Sequence, residues 1–319
     1  MSKRQQPEDR PVIVQFFHPG RECPVGRRTN GAIVSVSWNG GGCESKSKPV
    51  HRGRAPKCRI ICGGHTRRLI SHIGKYVDDS GRLQTAQLAF WGEWEAATTA
   101  VALPPTKRKG LFARWVHTVE SPLGTTGRKG TNTDPCVFGS TFKYCCCQQH
   151  KKGETQPSLM RRLSPGSLVL FGSNVAGKFA LDTVFVVGET RIPYETKESY
   201  AELGVSKEYL ELTLNRLKNR ESDTFYRGAP FRRINKMYSF TPAKVFKSGD
   251  YRCGERFVLD VKKLNKVLRS TEAFSSRLKQ KQGLHSIETE PSSIFAAWSK
   301  IVSLAREAGF VPGVSFNWP

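Results

Sequence analysis

The stretch "LVLFGSNVAGKFALDTVFVV", residues 168–187, decides the fold. Gly172, four intervening residues, Gly177 and Lys178 have the spacing of the loop that cradles phosphate in nucleotide hydrolases. That loop needs a Ser or Thr after the Lys for magnesium, and a helix whose amides face the phosphates. Phe179 stands at the hydroxyl position, and Phe179–Val187 is β-branched and aromatic with no helical period. With Leu168–Phe171 upstream as a second apolar run, the stretch reads as a β-hairpin that turns at Ser173-Asn174 and Gly177. Nucleotide hydrolysis through this loop is therefore not expected.

Outward from the hairpin the chain is rich in short strands. Val12–Phe17, Ala32–Trp38, Arg59–Cys62, Gln87–Trp94 and Arg114–Val119 carry apolar or alternating residues bounded by Gly or Pro. Asn39 to Lys57 and Thr118–Thr133 read as connections. Two helices come later. Ser206 caps a segment with Leu210, Leu214 and Leu217 at helical spacing, and Ser292–Ala308 puts Ile294, Phe295, Trp298, Ile301, Val302 and Ala305 on one face before Gly309. The expected fold is α+β: a β-rich barrel or mixed sheet with flanking C-terminal helices. Two lobes are expected, a basic β-rich one over 1–150 and a hairpin-plus-helix one over 151–319, with one composite domain as the alternative.

The charge narrows the partners. Lys and Arg number 51 against 27 acids, a net charge of +24. Such an excess points to a polyanion, DNA or RNA. No run approaches the roughly 20 apolar residues of a membrane span, and no long basic amphipathic helix is visible, so a membrane partner is not expected. The polar start lacks the apolar core of a secretory signal, which implies a cytoplasmic protein. The nine cysteines then read as thiols or metal ligands rather than disulfides.

Basic residues repeatedly sit beside rings. Phe16–Arg21 precedes Arg27-Arg28, Lys107-Arg108-Lys109 precedes Phe112 and Trp115, and Phe231-Arg232-Arg233 precedes Tyr238. Nucleic-acid surfaces combine cations for phosphate with flat rings for bases. In Phe90–Glu95, alternation directs Trp91, Glu93 and Glu95 to one face and Gly92 and Trp94 to the other. Such a face suits an extruded base, the ring stacking and a carboxylate accepting from amino groups. The same pattern also fits a strand whose Trp fills the core while its acids pair with Arg.

Two kinds of metal chemistry are open. An endonuclease would hold magnesium on clustered carboxylates, for which Glu93, Glu95, Asp134 and Asp182 are the candidates, although no recognisable spacing joins them. A metal-independent variant would use His18 or His65 as base with Arg21 or Arg67 on phosphate. Zinc could be held by Cys58, Cys62 and His65, with Cys145–Cys147 supplying further thiols, although neither segment has the usual two-residue spacing between cysteines.

The run Leu163–Phe171, followed by a hairpin into Asp182–Val187, resembles the PUA-like barrels, including the ASCH and EVE types. There a turn with Gly precedes an apolar strand, and a hairpin returns along the barrel. The resemblance covers 163–188 and implies a pocket that reads an RNA base or a modified DNA base, with Trp91 and Trp94 as cage members. The resulting expectation is a nucleic-acid-binding protein of a defence or modification system. The alternatives are a metal-dependent endonuclease and a basic subunit of a ribonucleoprotein complex that works with other proteins.

Overall fold

Two consecutive residues with positive φ, Ala176 at 50° and Gly177 at 74°, make the tight turn of the hairpin. In the computed structural model, which describes residues 10–23, 33–35, 67–94, 98–104, 106, 111–119, 134–149, 158–194, 203–214, 223–232, 236–270, 273–276 and 283–319, this turn joins β8 (Leu168–Val175) to β9 (Lys178–Tyr194). The turn lies beyond the expected Ser173-Asn174, because β8 continues through Val175. Lys178 opens a strand, so the helix of a phosphate loop does not follow it.

The first sheet is assembled around this hairpin. β1 (Val12–Pro19) lies parallel to β8 and antiparallel to β12 (Gly283–Glu288). The far half of β9 pairs with β10 (Asp223–Gly228), which pairs with β7 (Lys143–Tyr144). The resulting order is β12-β1-β8-β9-β10-β7.

The second sheet is built on β3 (Arg68–Val77) and β4 (Leu83–Gly92). Their connection is fixed by Asp78, whose Oδ1 accepts from the amides of Ser80 at 3.0 Å and Arg82 at 2.8 Å. β4 pairs with β11 (Thr241–Val245), β11 with β13 (Val311–Phe316), and β13 returns to β3, closing a small four-stranded barrel. Closure requires a glycine in β3: a Cβ on Gly74 would lie 2.7 Å from the Phe316 ring and 2.8 Å from the Ser315 carbonyl. On its other side β3 runs parallel to β6 (Trp115–Val119), followed by β5 (Thr98–Ala102) and β2 (Ile33–Ser35). The protein is thus strand-rich α+β, with a small barrel and a mixed sheet. Each sheet takes strands from both sides of residue 150.

Period-two alternation divides the core into layers. On β1, Val12, Val14 and Phe16 join Phe171, Phe185, Ile70, Phe90 and Phe316 in one cluster, while Ile13 and Phe17 join Leu168, Leu170 and helix residues in another. That helix, α3 (Pro291–Glu307), buries Ile294, Ala297, Trp298, Ile301, Val302 and Ala305, and Trp298 Nε1 donates to the Tyr238 carbonyl at 3.0 Å. Each large apolar side chain so buried contributes about 1.5–3 kcal/mol relative to exposure, which holds the helix on the sheet. Phe295, expected on the same face, is exposed. Two shorter helices complete the described chain: α1 (Lys207–Leu212), whose Ser206 Oγ accepts from the Tyr209 amide, and α2 (Val261–Val267). Among the described residues no helix is long and apolar enough to cross a membrane.

Candidate functional site

β1, the start of β3, the end of β4 and the middle of β9 meet where their polar residues are enclosed. Past Gly92 the chain places Glu93 Oε1 2.9 Å from His18 Nδ1. Arg67 is pinned beside them by its own backbone: its amide donates to the Arg21 carbonyl, and its carbonyl accepts from the Cys23 amide. Its side chain spans two acids, with Nη1 3.4 Å from Glu93 Oε1 and Nε 3.1 Å from Asp182 Oδ2.

Asp182 reaches Arg67 because β9 bulges there. Phe171 faces Thr183 and Gly172 faces Leu181, so Asp182 is the extra residue. A bulge leaves one residue out of the ladder and re-aims its side chain. Gly172 permits the close approach opposite it, since a Cβ there would lie 2.4 Å from the Ala180 carbonyl oxygen.

A second cation completes the cluster. Arg256 donates from Nη2 to the Gly20 carbonyl at 2.8 Å and from Nη1 to Ser173 Oγ at 3.4 Å. Burial raises the Asp182 pKa, while Arg67 and Arg256 oppose that rise. Burial also lowers the Arg256 pKa to about 10, which leaves the guanidinium charged at neutral pH. Arg256 Nε has no hydrogen-bond partner among the described residues. A buried donor left in that state costs about 1–3 kcal/mol.

Arg256 connects this cluster to a cavity of about 650 Å³. Its guanidinium carbon lies 3.6 Å from the centroid of the Trp91 ring, and Trp91 Nε1 donates to the Gly254 carbonyl at 3.2 Å. Trp91 and Arg256 form a stacked floor, Leu103, Phe112 and Trp115 form walls, and Arg21, Glu22 and Arg114 stand at the mouth. Glu22 is already engaged: it accepts from the amides of Arg114 and Trp115 and from Arg114 Nε. The volume is that of small-molecule sites, which are apolar with a few placed polar groups. Flat aromatic walls suit a planar ring.

The expected site residues separate. Trp91 and Arg21 line the cavity, and Glu93 and Asp182 share Arg67. Trp94 turns the other way into the core, 4.7 Å from the Phe138 ring and 6.0 Å from Trp318. Arg232 is exposed beside Phe231, whose ring meets Tyr238 at 5.1 Å. Asp134 lies in a nest of amides, accepting from the backbone of Cys145, Cys146 and Cys147 at 2.9, 2.9 and 2.7 Å. Arg27, Arg28, Glu95, Lys107, Arg108, Lys109 and Arg233 lie outside the described residues, as do Cys58, Cys62 and His65.

Asp134, Cys146 and Cys147 do bring three potential metal-ligand atoms within 4.8 Å of one another. Metal binding requires thiolates. Hydrogen bonding between neighbouring thiols, and then burial, hold Cys146 and Cys147 well above the ordinary thiol range. Both Asp134 oxygens already accept from the backbone amides of Cys145, Cys146 and Cys147, so the group stands as an amide nest.

Arg256 was not legible as a site residue. It is a lone Arg between Glu255 and Phe257, and its partner Gly20 is 236 positions away. Phe112 and Trp115 carried the one available signal, rings beside a basic run. Comparison of the chain with known protein families, characterised proteins and solved structures finds no match, so the geometry of this pocket carries the functional argument.

Proposed function

We propose that the protein binds DNA or RNA and takes a single base into the cavity floored by Trp91 and Arg256. The observation that carries this reading is the stacked ring and guanidinium at the bottom of an aromatic-walled cavity of about 650 Å³. Its setting is a chain of net charge +24. Exposed cations at the mouth hold the backbone, the ring walls hold the base, and Gly20, Ser173 and the Trp91 ring fix the Arg256 plane. The resemblance of 163–188 to PUA-like barrels supports the same function, and a role in nucleic-acid defence or modification would use such a reader.

The endonuclease alternative has less support in the geometry. Arg67 stands between the carboxylates of Glu93 and Asp182, and three backbone amides occupy those of Asp134.

Fluorescence anisotropy on single-stranded and duplex DNA and RNA across salt concentrations tests the proposal. Affinity should fall steeply with salt, and Trp115→Ala should weaken binding by about 1–3 kcal/mol, the worth of one stacked base. Trp115 is half-buried at the cavity wall, so this change spares the core. Binding indifferent to both salt and Trp115→Ala would remove the reading. Cleavage with magnesium that Glu93→Gln abolishes would favour the nuclease.

A further inference from the structure

We infer that Tyr251, outside the cavity, is a stacking platform for the base next to the inserted one, so that the ligand is single-stranded nucleic acid. Two aromatic rings stand well out of the core among the described residues, Tyr251 at 41% exposure and Phe295 at 42%. A single exposed ring needs no explanation by itself, but position separates these two. Phe295 lies on α3, stacked on Trp298 at 5.9 Å. Tyr251 meets a wall of the cavity, its ring centroid 5.8 Å from that of Phe112 and tilted by 48°. Phe112 lines the cavity, and the ring beside it is open to water.

Backbone hydrogen bonds tie the platform to the cavity. Tyr251 opens a 3-10 turn (Tyr251–Gly254) capped by Asp250, whose side chain accepts from the Arg252 amide at 2.9 Å. At the end of that turn the Gly254 carbonyl accepts from the Ala113 amide at 2.8 Å as well as from Trp91, and the Arg256 amide donates to the Leu111 carbonyl at 2.9 Å. A ring on so fixed a turn loses little freedom when a base stacks on it. The charges beside it suit a phosphate chain. Arg252 closes on Asp250 through Nε at 3.0 Å and Nη2 at 2.9 Å, which offsets that acid, and Lys247, exposed, holds the preceding turn by accepting the Asp250 amide on its carbonyl at 3.1 Å. In a duplex the neighbouring base stays paired and stacked, so extruding one base leaves Tyr251 nothing to stack on. In a single strand successive bases can splay onto successive rings, and any base offers a π face.

This rests on the reading that a base enters the cavity, so Trp115→Ala is the control throughout. Anisotropy is measured on short oligothymidylate and oligoadenylate strands and on the duplex they form together. Wild type should bind the strands more tightly than the duplex. Tyr251→Ala should weaken both strands by about fivefold to a hundredfold, the worth of one base stacked on a ring. The weaker duplex binding and the salt slope should stay as in wild type, because no phosphate contact is lost. Tyr251→Phe should bind as wild type does. Tyr251→Leu keeps an apolar neighbour for Phe112 and removes the ring, so it should show the loss of Tyr251→Ala; a loss in the Ala variant alone would make Tyr251 a mere support of the wall and overturn the platform. Strand binding unchanged in both variants while Trp115→Ala weakens it also overturns the platform and leaves the cavity reading standing. A duplex preference, or equal losses on strand and duplex, overturns the single-strand assignment. Absence of binding to all of these polymers overturns both readings.

Discussion

Replacing Arg67 with Met keeps much of the side-chain volume and removes the charge between Glu93 and Asp182. Both acid side chains are almost fully enclosed, at 1% and 2% exposure, so solvent cannot replace the lost guanidinium. Removing one partner of such a cluster costs about 3–5 kcal/mol, a large part of the 5–15 kcal/mol that typically separates folded from unfolded states. The cost also depends on pH. Burial already raises the Asp182 pKa, and Arg67 is the first of the groups holding it down. In the variant it rises further, so the folded state binds this proton more tightly than the unfolded chain does. That contribution is fully present below the unfolded pKa and is lost as pH rises through the folded one. The deficit of Arg67→Met should therefore be largest near neutrality and shrink on acidification toward pH 5. Urea unfolding of wild type and variant, followed by tryptophan fluorescence at both pH values, measures it. A loss below about 1 kcal/mol, against the 3–5 expected of a broken buried pair, or a loss equal at both pH values, would refute the view that Arg67 neutralises these acids.

Three further outcomes follow from other parts of the fold. His117, fully buried with Nδ1 2.9 Å from Thr98 Oγ1, has its pKa lowered by burial and by Arg68 from 6.5 to about 3. Its contribution is present above the unfolded pKa and fades as pH falls, by about 2 kcal/mol between pH 7 and 5; His117→Gln should flatten that part of the urea-stability profile, and an unchanged slope would exclude His117 as its source. Gly172→Ala should cost at least the 1–3 kcal/mol typical of overpacking, because the new Cβ meets the Ala180 carbonyl at 2.4 Å; a thermal melt unchanged from wild type would contradict the tight bulge. Asp134→Ala strips the acceptor from three buried amides, each costing about 1–3 kcal/mol when unsatisfied; soluble, fully folded protein by circular dichroism would show that other groups satisfy them.

The hairpin was readable because both of its runs are apolar and β-branched and are separated by turn residues. Of the expected turn residues, Gly177 does make the turn, whereas Ser173 and Asn174, turn-formers by local preference, pair across the ladder with Ala180 and Phe179. β3 gave little signal. Its first four residues are buried whatever their polarity, Arg68 and Ser71 included, and its register depends on β13 some 240 positions later. α3 was legible almost to its ends because cap, period and Gly309 agree. Of the candidate site, Trp91 stood out in an unusual run of rings and acids. The directions of Trp91 and Trp94 followed from alternation, but which side held a cavity did not. The Arg67–Asp182 contact is unreadable for a related reason: it exists only because a bulge re-aims one aspartate.

That bulge also determines the phase of β9. Before it, odd-numbered Phe179 and Leu181 face the helical layer; after it, even-numbered Val184 and Val186 do, while Phe185 and Val187 face the layer between the sheets. Were Asp182 paired in the ladder as an ordinary residue, with no bulge, these two sets would exchange, pushing the Phe185 ring toward α3 and leaving valines where the inter-sheet layer needs a ring. The Arg67–Asp182 contact thus works as an index pin: one ion pair, set between two hydrophobic layers, records which way the rest of the longest strand must face.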